Sequence, residues 1–260
     1  MSGIVGSTTY GVAKQIKLKG VKVLDCDGSG SSFTIAAGIT YILANQAALR
    51  GGSAATKKLV ANLSLGGPPS TTIDNSVQQL IDNGIAVTVA AGNEDANACS
   101  FSPSRLASVL TISASDIDDQ KADFSNYGSC VDLSAPGVDI LSTWFSSNTA
   151  ITTLSGSSMA SPFTAGVVSL AWQQNKGLTN TQVQNTVKSW VTQNVIDGFP
   201  SASGGGGKNL LFSLINPNVP PPAPSPNPHP PTSFSNGETI QISFHVIIIV
   251  IGVFILLWDN

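Results

Sequence analysis

The sequence predicts an α/β domain built on a mainly parallel sheet with helices over both faces. Three observations carry that prediction. Short, nearly pure apolar runs alternate along the chain with amphipathic segments at helical spacing; a strand with no polar alternation is buried on both faces, the condition of a parallel sheet between helix layers. Gly and Asn punctuate the ends of those runs, as at Gly66, Gly67, Gly92 and Asn93, where strand has to become loop. The chain is 260 residues long with only 10 percent charged side chains, against about 25 percent on average. One domain of roughly 200 residues, with an appendage, suits that length.

The elements follow in order. Val21 to Leu24 reads as a short buried strand that ends in the turn Asp25, Cys26, Asp27, Gly28. A helix follows over "TIAAGITYILANQ", where Ile35, Ile39, Ile42 and Leu43 repeat at i, i+4, i+7 and i+8. "KLVANLSLGG" is a strand ending in two glycines, and Ile73, Val77, Leu80 and Ile81 mark a second helix that Gly84 stops. "IAVTVAAGN" is a continuous apolar strand running into Asn93. "SVLTISASD", "CVDLSAPG" and "DILSTW" are further short strands or their exits. Helices are expected from about Ser158 to Gln174 and near Thr181 to Gln193, and "KNLLFSLIN" closes a domain spanning 1–216.

Beyond it the character changes. Pro220 to Pro231 holds eight prolines in twelve residues, which enforces extended polyproline and cannot build a core, so 217–237 is read as a stalk. Residues 238–260 end in thirteen residues without a polar side chain, Val246 to Trp258. As a helix these span roughly 20 Å, short of the ~30 Å hydrocarbon core unless Ile240 to His245 are added. Two readings stand. One is a membrane helix, which has no Lys or Arg beyond it to fix orientation. The other is a lipid-anchor signal, with small residues Ser235, Asn236 and Gly237, a spacer Glu238 to His245 and an apolar tail. Either would tether the domain at the cell surface.

A net charge of −3 without a basic run gives no footprint for nucleic acid, so no nucleic-acid partner is expected. The three cysteines Cys26, Cys99 and Cys130 leave one thiol without a partner, and no Cys-x-x-Cys spacing supports zinc. Residues 1–20 hold no apolar run of the kind a secretory leader needs. The sequon at Asn62 falls in a buried strand, so no glycan is expected there.

Ser158 lies where a Gly-containing loop meets a helix, with Gly156 before it and Pro162 read as lying in the first turn. A hydroxyl there sits at the positive helix end beside free backbone N–H groups able to stabilise an oxyanion; alone, it is equally a helix-capping turn. Asn93 ends "AAGN" at the carboxyl edge of the sheet, where ligands bind in open α/β folds, and its amide suits a second oxyanion donor; alone, it is a turn residue after Gly92. "SLGG", Ser64 to Gly67, offers a backbone edge to which a peptide adds as a strand, or simply ends a strand.

Together these pieces have a recognisable order. "YGVAK", "GVKVLDCDGSG", "ANLSLGG", "VAAGNEDANACSFSP", "FSNYGSCVDLSAPG", "ILSTW" and "SGSSMASP" make residues 2 to about 215 resemble the subtilisin-like serine proteases, in the branch of proteinase K and aqualysin. The resemblance implies a three-layer subtilisin-like fold lacking its N-terminal strands. It implies Ser158 as nucleophile and Asn93 as oxyanion amide, with Ser64, Leu65 and Gly66 lining the substrate edge together with Gly28, Ser29 and Gly30. It pairs Cys99 with Cys130 and leaves Cys26 without its partner. It also places a structural calcium on the Asp132 carboxylate and the carbonyls of Ala107 and Val109, with no cofactor required for the chemistry.

A serine needs a base, and the base an orienting group. His229 sits in the stalk and His245 borders the tail. The family motif His-Gly-Thr-His-Val-Ala-Gly would meet this chain at its last two residues, Ser2 and Gly3, so the resemblance puts the triad histidine and aspartate upstream of Met1. Two departures are smaller: Phe163 stands for a helix-packing histidine and Ser157 for a threonine. The expectation is therefore the C-terminal portion of a secreted, monomeric serine endopeptidase of broad, hydrophobic preference, inactive as this chain. The alternative is a non-catalytic pseudoprotease that binds extended peptides. Loss of the opening strands also predicts uncovered sheet edges.

Overall fold

The computed structural model describes residues 1–51, 57–200 and 204–211, and the strand 246–252. In chain order its elements are α1 (Ser2–Gly6), β1 (Lys17–Lys22), α2 (Ser32–Leu49), β2 (Lys58–Leu63), α3 (Thr71–Asp82), β3 (Ala86–Ala90), β4 (Leu110–Ser115), β5 (Leu133–Pro136), β6 (Ile140–Thr143), β7 (Ile151–Leu154), α4 (Ser157–Gln174), α5 (Asn180–Ser189) and β8 (Val246–Gly252). One sheet has the order β1-β8-β2-β3-β4-β5 with every neighbour parallel; β6 and β7 form a separate antiparallel pair.

The period-2 alternation of the strands divides the core into two layers. Val60, Leu110, Ile112 and Leu133 face α1, α4 and α5, where Trp172, Val168 and Val187 complete one cluster. Leu59, Ala61, Leu63, Val87 and Val89 face α2 and α3, meeting Ile35, Ile39, Ile42, Val77 and Leu80. This is the three-layer α/β arrangement expected.

Differences from the sequence reading have local causes. The first strand begins at Lys17 because the polar residues of "KLKGVK" alternate on a largely exposed strand, a pattern the search for buried apolar runs passes over. The first long helix begins at Ser32, fixed by a reciprocal cap in which the Ser31 and Thr34 side chains take each other's backbone N–H. The last helix ends at Ser189, four residues early, because Thr192 leaves to pair with Leu210. Pro162 lies inside α4, a turn beyond the place assigned to it. The segments α1 and β7 were not anticipated. Residues 212–245, which hold the stalk and both histidines, and residues 253–260 lie outside the described residues.

Asn62 is fully buried and donates from Nδ2 to Ser64 Oγ (2.9 Å), so its sequon is closed to a glycosyltransferase. Asp74, buried on α3, accepts from Arg105 Nε at 2.6 Å and Nη2 at 2.5 Å. Its other oxygen, Oδ1, has no partner among the described residues. Arg105→Met leaves a buried carboxylate without its cation. Because Arg105 retains 30% side-chain exposure, the expected cost is about 2 kcal/mol, read as a shift of the urea midpoint at unchanged slope.

Candidate active site

The sheet's carboxyl edge brings Ser158 and Asn93 to one cavity of about 90 Å3, lined also by Leu65, Gly66, Gly67 and Ser157. Local sequence explains the placement. Gly156 caps α4 at φ 155°, a backbone state open chiefly to glycine, which turns the chain from the preceding loop directly into the helix. Ser158 is thereby the second helical residue, and its N–H is one of the orphan donors of the first turn; it has no acceptor among the described residues.

Asn93 is held by its carbonyl oxygen. Ser157 N and Ser157 Oγ both donate to Asn93 Oδ1, at 2.8 and 3.0 Å, and Ser157 Oγ accepts from Gly92 N at 3.1 Å. With Oδ1 doubly engaged, the amide orientation is fixed by the network, and Nδ2 donates to no group among the described residues. The site thus presents two unpaired donors, Ser158 N–H and Asn93 Nδ2, beside one hydroxyl, the constitution of an oxyanion-stabilising site.

The nucleophile candidate is also tied to β2. Pro162 has no N–H to give the carbonyl four residues before it, which is that of Ser158. Ser64 Oγ donates to Ser158 O instead, at 2.8 Å, and Ser158 Oγ donates to Ser64 O at 3.3 Å. Beneath, Asn62 Oδ1 accepts from Thr88 Oγ1 and Ser161 Oγ, so a buried polar chain locks strand exit and helix start together.

Sequence reasoning passed over Asn126. Its Oδ1 accepts from Glu94 N and Ala96 N while its Nδ2 donates to Ala91 O and Glu94 Oε2, which pins the loop carrying Asn93. It stood inside the quoted "FSNYGSC", so the signal was in view without a role. Ser157, noted only for keeping a hydroxyl, is the direct anchor of Asn93.

Gly28, Ser29 and Gly30 are not brought into this cavity. Ser29 and Gly30 line a separate groove with Leu24 and Thr34, two strand positions from Ser64, with β8 between. A larger cleft of about 720 Å3 around Asp95, Asp116 and Tyr127 holds Lys121, whose ammonium is engaged by Asp95 Oδ1 and three backbone carbonyls. No serine, threonine or cysteine lines it, and the smaller cavity is the better candidate.

Of the residues assigned to calcium, Asp132 already holds an ammonium. Asp132 Oδ2 accepts from Thr111 N at 2.9 Å and Oδ1 from Lys188 Nζ at 3.3 Å, so a divalent ion would have to displace a cation already present. Burial pushes the Asp132 carboxyl above its usual range, partly offset by the Thr111 N–H and by Lys188. A carboxyl raised on folding contributes stability below its unfolded value near 4, and loses it as pH rises through the folded value. Lys188→Met should therefore cost about 1 kcal/mol at pH 7, an exposed-pair magnitude since Lys188 is 37% exposed, and nothing once Asp132 is protonated. Calcium should raise the melting temperature of that variant and not of the parent.

Residues 1–206 match the model of the subtilase family. The chain is 42% identical over 196 residues to the extracellular serine proteinase of Thermus sp. (strain Rt41A), covering 75% of this chain and 46% of that protein. It is 41% identical to the alkaline serine exoprotease A of Vibrio alginolyticus, over 73% of this chain and 33% of the other. It is 45% identical to the subtilisin-like serine protease AsES of Sarocladium strictum, over 78% and 51%. The chain thus spans between a third and about half of the length of these relatives. A crystal structure of a cold adapted subtilisin-like serine proteinase is similar with a TM-score of 0.73 and 39% identity, covering 82% of this chain and 72% of that one.

Proposed function

Because the chain belongs to the subtilase family, we propose that it carries the nucleophile and oxyanion half of a serine endopeptidase site. Ser158 Oγ attacks the peptide carbonyl. The oxyanion is received by Ser158 N–H and Asn93 Nδ2, and the substrate lies along Ser64 to Gly67. The observation that supports this most is the shared cavity in which those two donors are left unpaired beside the Ser158 hydroxyl. The cavity is small and floored by Ala90 and Ala91, which suits an apolar side chain of modest size in the substrate.

The proton acceptor is not among the described residues, which contain no histidine. In this reading the chain binds and polarises a peptide carbonyl without completing the transfer. A peptide-binding module uses the same groove, and the two readings differ at the oxyanion. A peptidyl boronate, which becomes tetrahedral on Ser158 Oγ, tests it by titration calorimetry. Asn93→Leu should weaken the boronate about 100-fold and leave a plain extended peptide of the same sequence unchanged. Equal loss for both ligands would leave only the binding module.

Secretion is supported by the Cys99–Cys130 disulfide, a bond of oxidising compartments. Tethering through 238–260 requires the strand at 246–252 to be out of the sheet.

A further inference from the structure

The strands β1 and β2 do not touch. Each pairs with β8, which runs parallel to both: Lys17 to Lys22 against Ile247 to Gly252 on one side, Lys58 to Leu63 against Val246 to Ile251 on the other. The chain from β1 through α2 returns two strand positions away, leaving a seat about 9.5 Å wide between them. We propose that this seat is a strand-binding site for an extended apolar peptide lying parallel to β1 and β2, and that Val246–Gly252 of this chain is its resident occupant.

The chemistry of the two sides agrees. A seat within a parallel sheet demands a segment acceptable to both faces, which selects an unbroken apolar, β-branched run. "VIIIVI" is the longest run of Val and Ile in the chain. With β8 in place β2 is buried from Leu59 to Leu63; without that neighbour its edge would present a row of unpaired donors and acceptors, a template for another strand. Reach is no obstacle. Leu211 pairs beside β5, at the far end of the sheet from β1. The seat lies four strand spacings away, about 19 Å, and the Pro-rich stretch between can extend on the order of 100 Å.

Occupancy of the seat excludes occupancy of a bilayer. Once Val246–Gly252 is in the sheet, the apolar remainder from Val253 to Trp258 would reach only about 9 Å as a helix, against a hydrocarbon core of about 30 Å. The tail read as an anchor is then a folding element held in place by backbone pairing. This is independent of the peptidase reading: a full or an empty oxyanion site leaves the seat as it is.

Hydrogen exchange of the full chain, followed by mass spectrometry, tests the proposal. Amides of 246–252 should exchange on the order of 100-fold slower than in the free peptide, and adding phosphatidylcholine vesicles should leave them protected. Exchange at the free-peptide rate, or tail protection that arises only with vesicles, overturns it. Ile249→Pro removes a ladder donor from a central strand and should expose 246–252 and β1 while β4 and β5 stay protected. A synthetic VIIIVIG peptide with lysines at both ends should then restore β1, whereas the same peptide with proline at its fourth residue should not. Failure of the peptide to restore β1, or loss of β4 and β5 together with it, overturns the seat as a separable site. Doubling of the chain's mass in solution overturns the intrachain occupant.

Discussion

The purified 260-residue chain should hydrolyse a chromogenic peptide amide about a million times more slowly than a serine peptidase with its base in place, the loss that removal of the base brings in a subtilisin-like site. The reason is in the hydrogen bonding of the nucleophile. Ser158 Oγ donates its hydrogen bond to the Ser64 carbonyl at 3.3 Å, and a carbonyl accepts a hydrogen bond without accepting a proton. Both oxyanion donors remain, so residual catalysis of order 10³ over water should survive, and it should fall with Asn93→Leu. Ser158→Ala should change almost nothing further, because without a base the hydroxyl contributes little. Steady-state assays with excess peptide, with and without a serine-directed sulfonyl fluoride, decide the matter. Robust turnover abolished by that reagent would mean that a base reaches Ser158 from residues outside those described, His229 and His245 being the only histidines of the chain.

How far the sequence showed this depends on which physical signal each feature leaves. The strands β2, β3 and β4 were legible because burial on both faces forbids polar residues, and the same rule made "IAVTVAAGN" end where Asn93 now stands. The site was legible in its types and order but not in its wiring. That Pro162 frees the Ser158 carbonyl for Ser64 Oγ depends on a helix register set by Gly156, and Pro162 was placed a turn too early. The role of Asn126 depends on a loop crossing that no periodicity records. The tail is the sharpest case. An apolar run of thirteen residues is what a short membrane segment and a doubly buried parallel strand have in common, so hydropathy alone could not separate them. What separates them is the one-strand gap between β1 and β2 in which β8 pairs, a property of the sheet and not of the tail. The alternating, exposed β1 escaped for the opposite reason, having too little apolar signal.

Cys99→Ser should lower stability by about 3.5 kcal/mol, the chain-entropy value for a bond that closes a loop of sequence separation 31. In a domain of this size that is a fall in melting temperature of about 10 °C. The bond joins a short helical turn at Ala98–Ser100, just beyond the Asn93 loop, to the residue before Val131 at the entry to β5. Around it only Ala91, Ala98 and Val131 form a small buried cluster, with Cys130 packed against it, so few apolar contacts would remain to hold the loop once the crosslink is gone. The loss should therefore fall on the site as well as on the fold. Binding of the peptidyl boronate should weaken in Cys99→Ser well below the melting temperature, because the loop that aims Asn93 Nδ2 then depends on the hydrogen bonds of Asn126 and Ser157 without the crosslink. The exposed Cys26 supplies an internal control, since Cys26→Ser removes no crosslink and should leave both melting and binding unchanged. Calorimetry of the two variants side by side distinguishes them. Equal melting of Cys99→Ser and the parent would show that the bridge does not form in solution, and unchanged boronate affinity would show that the hydrogen bonds of Asn126 and Ser157 order the loop without it.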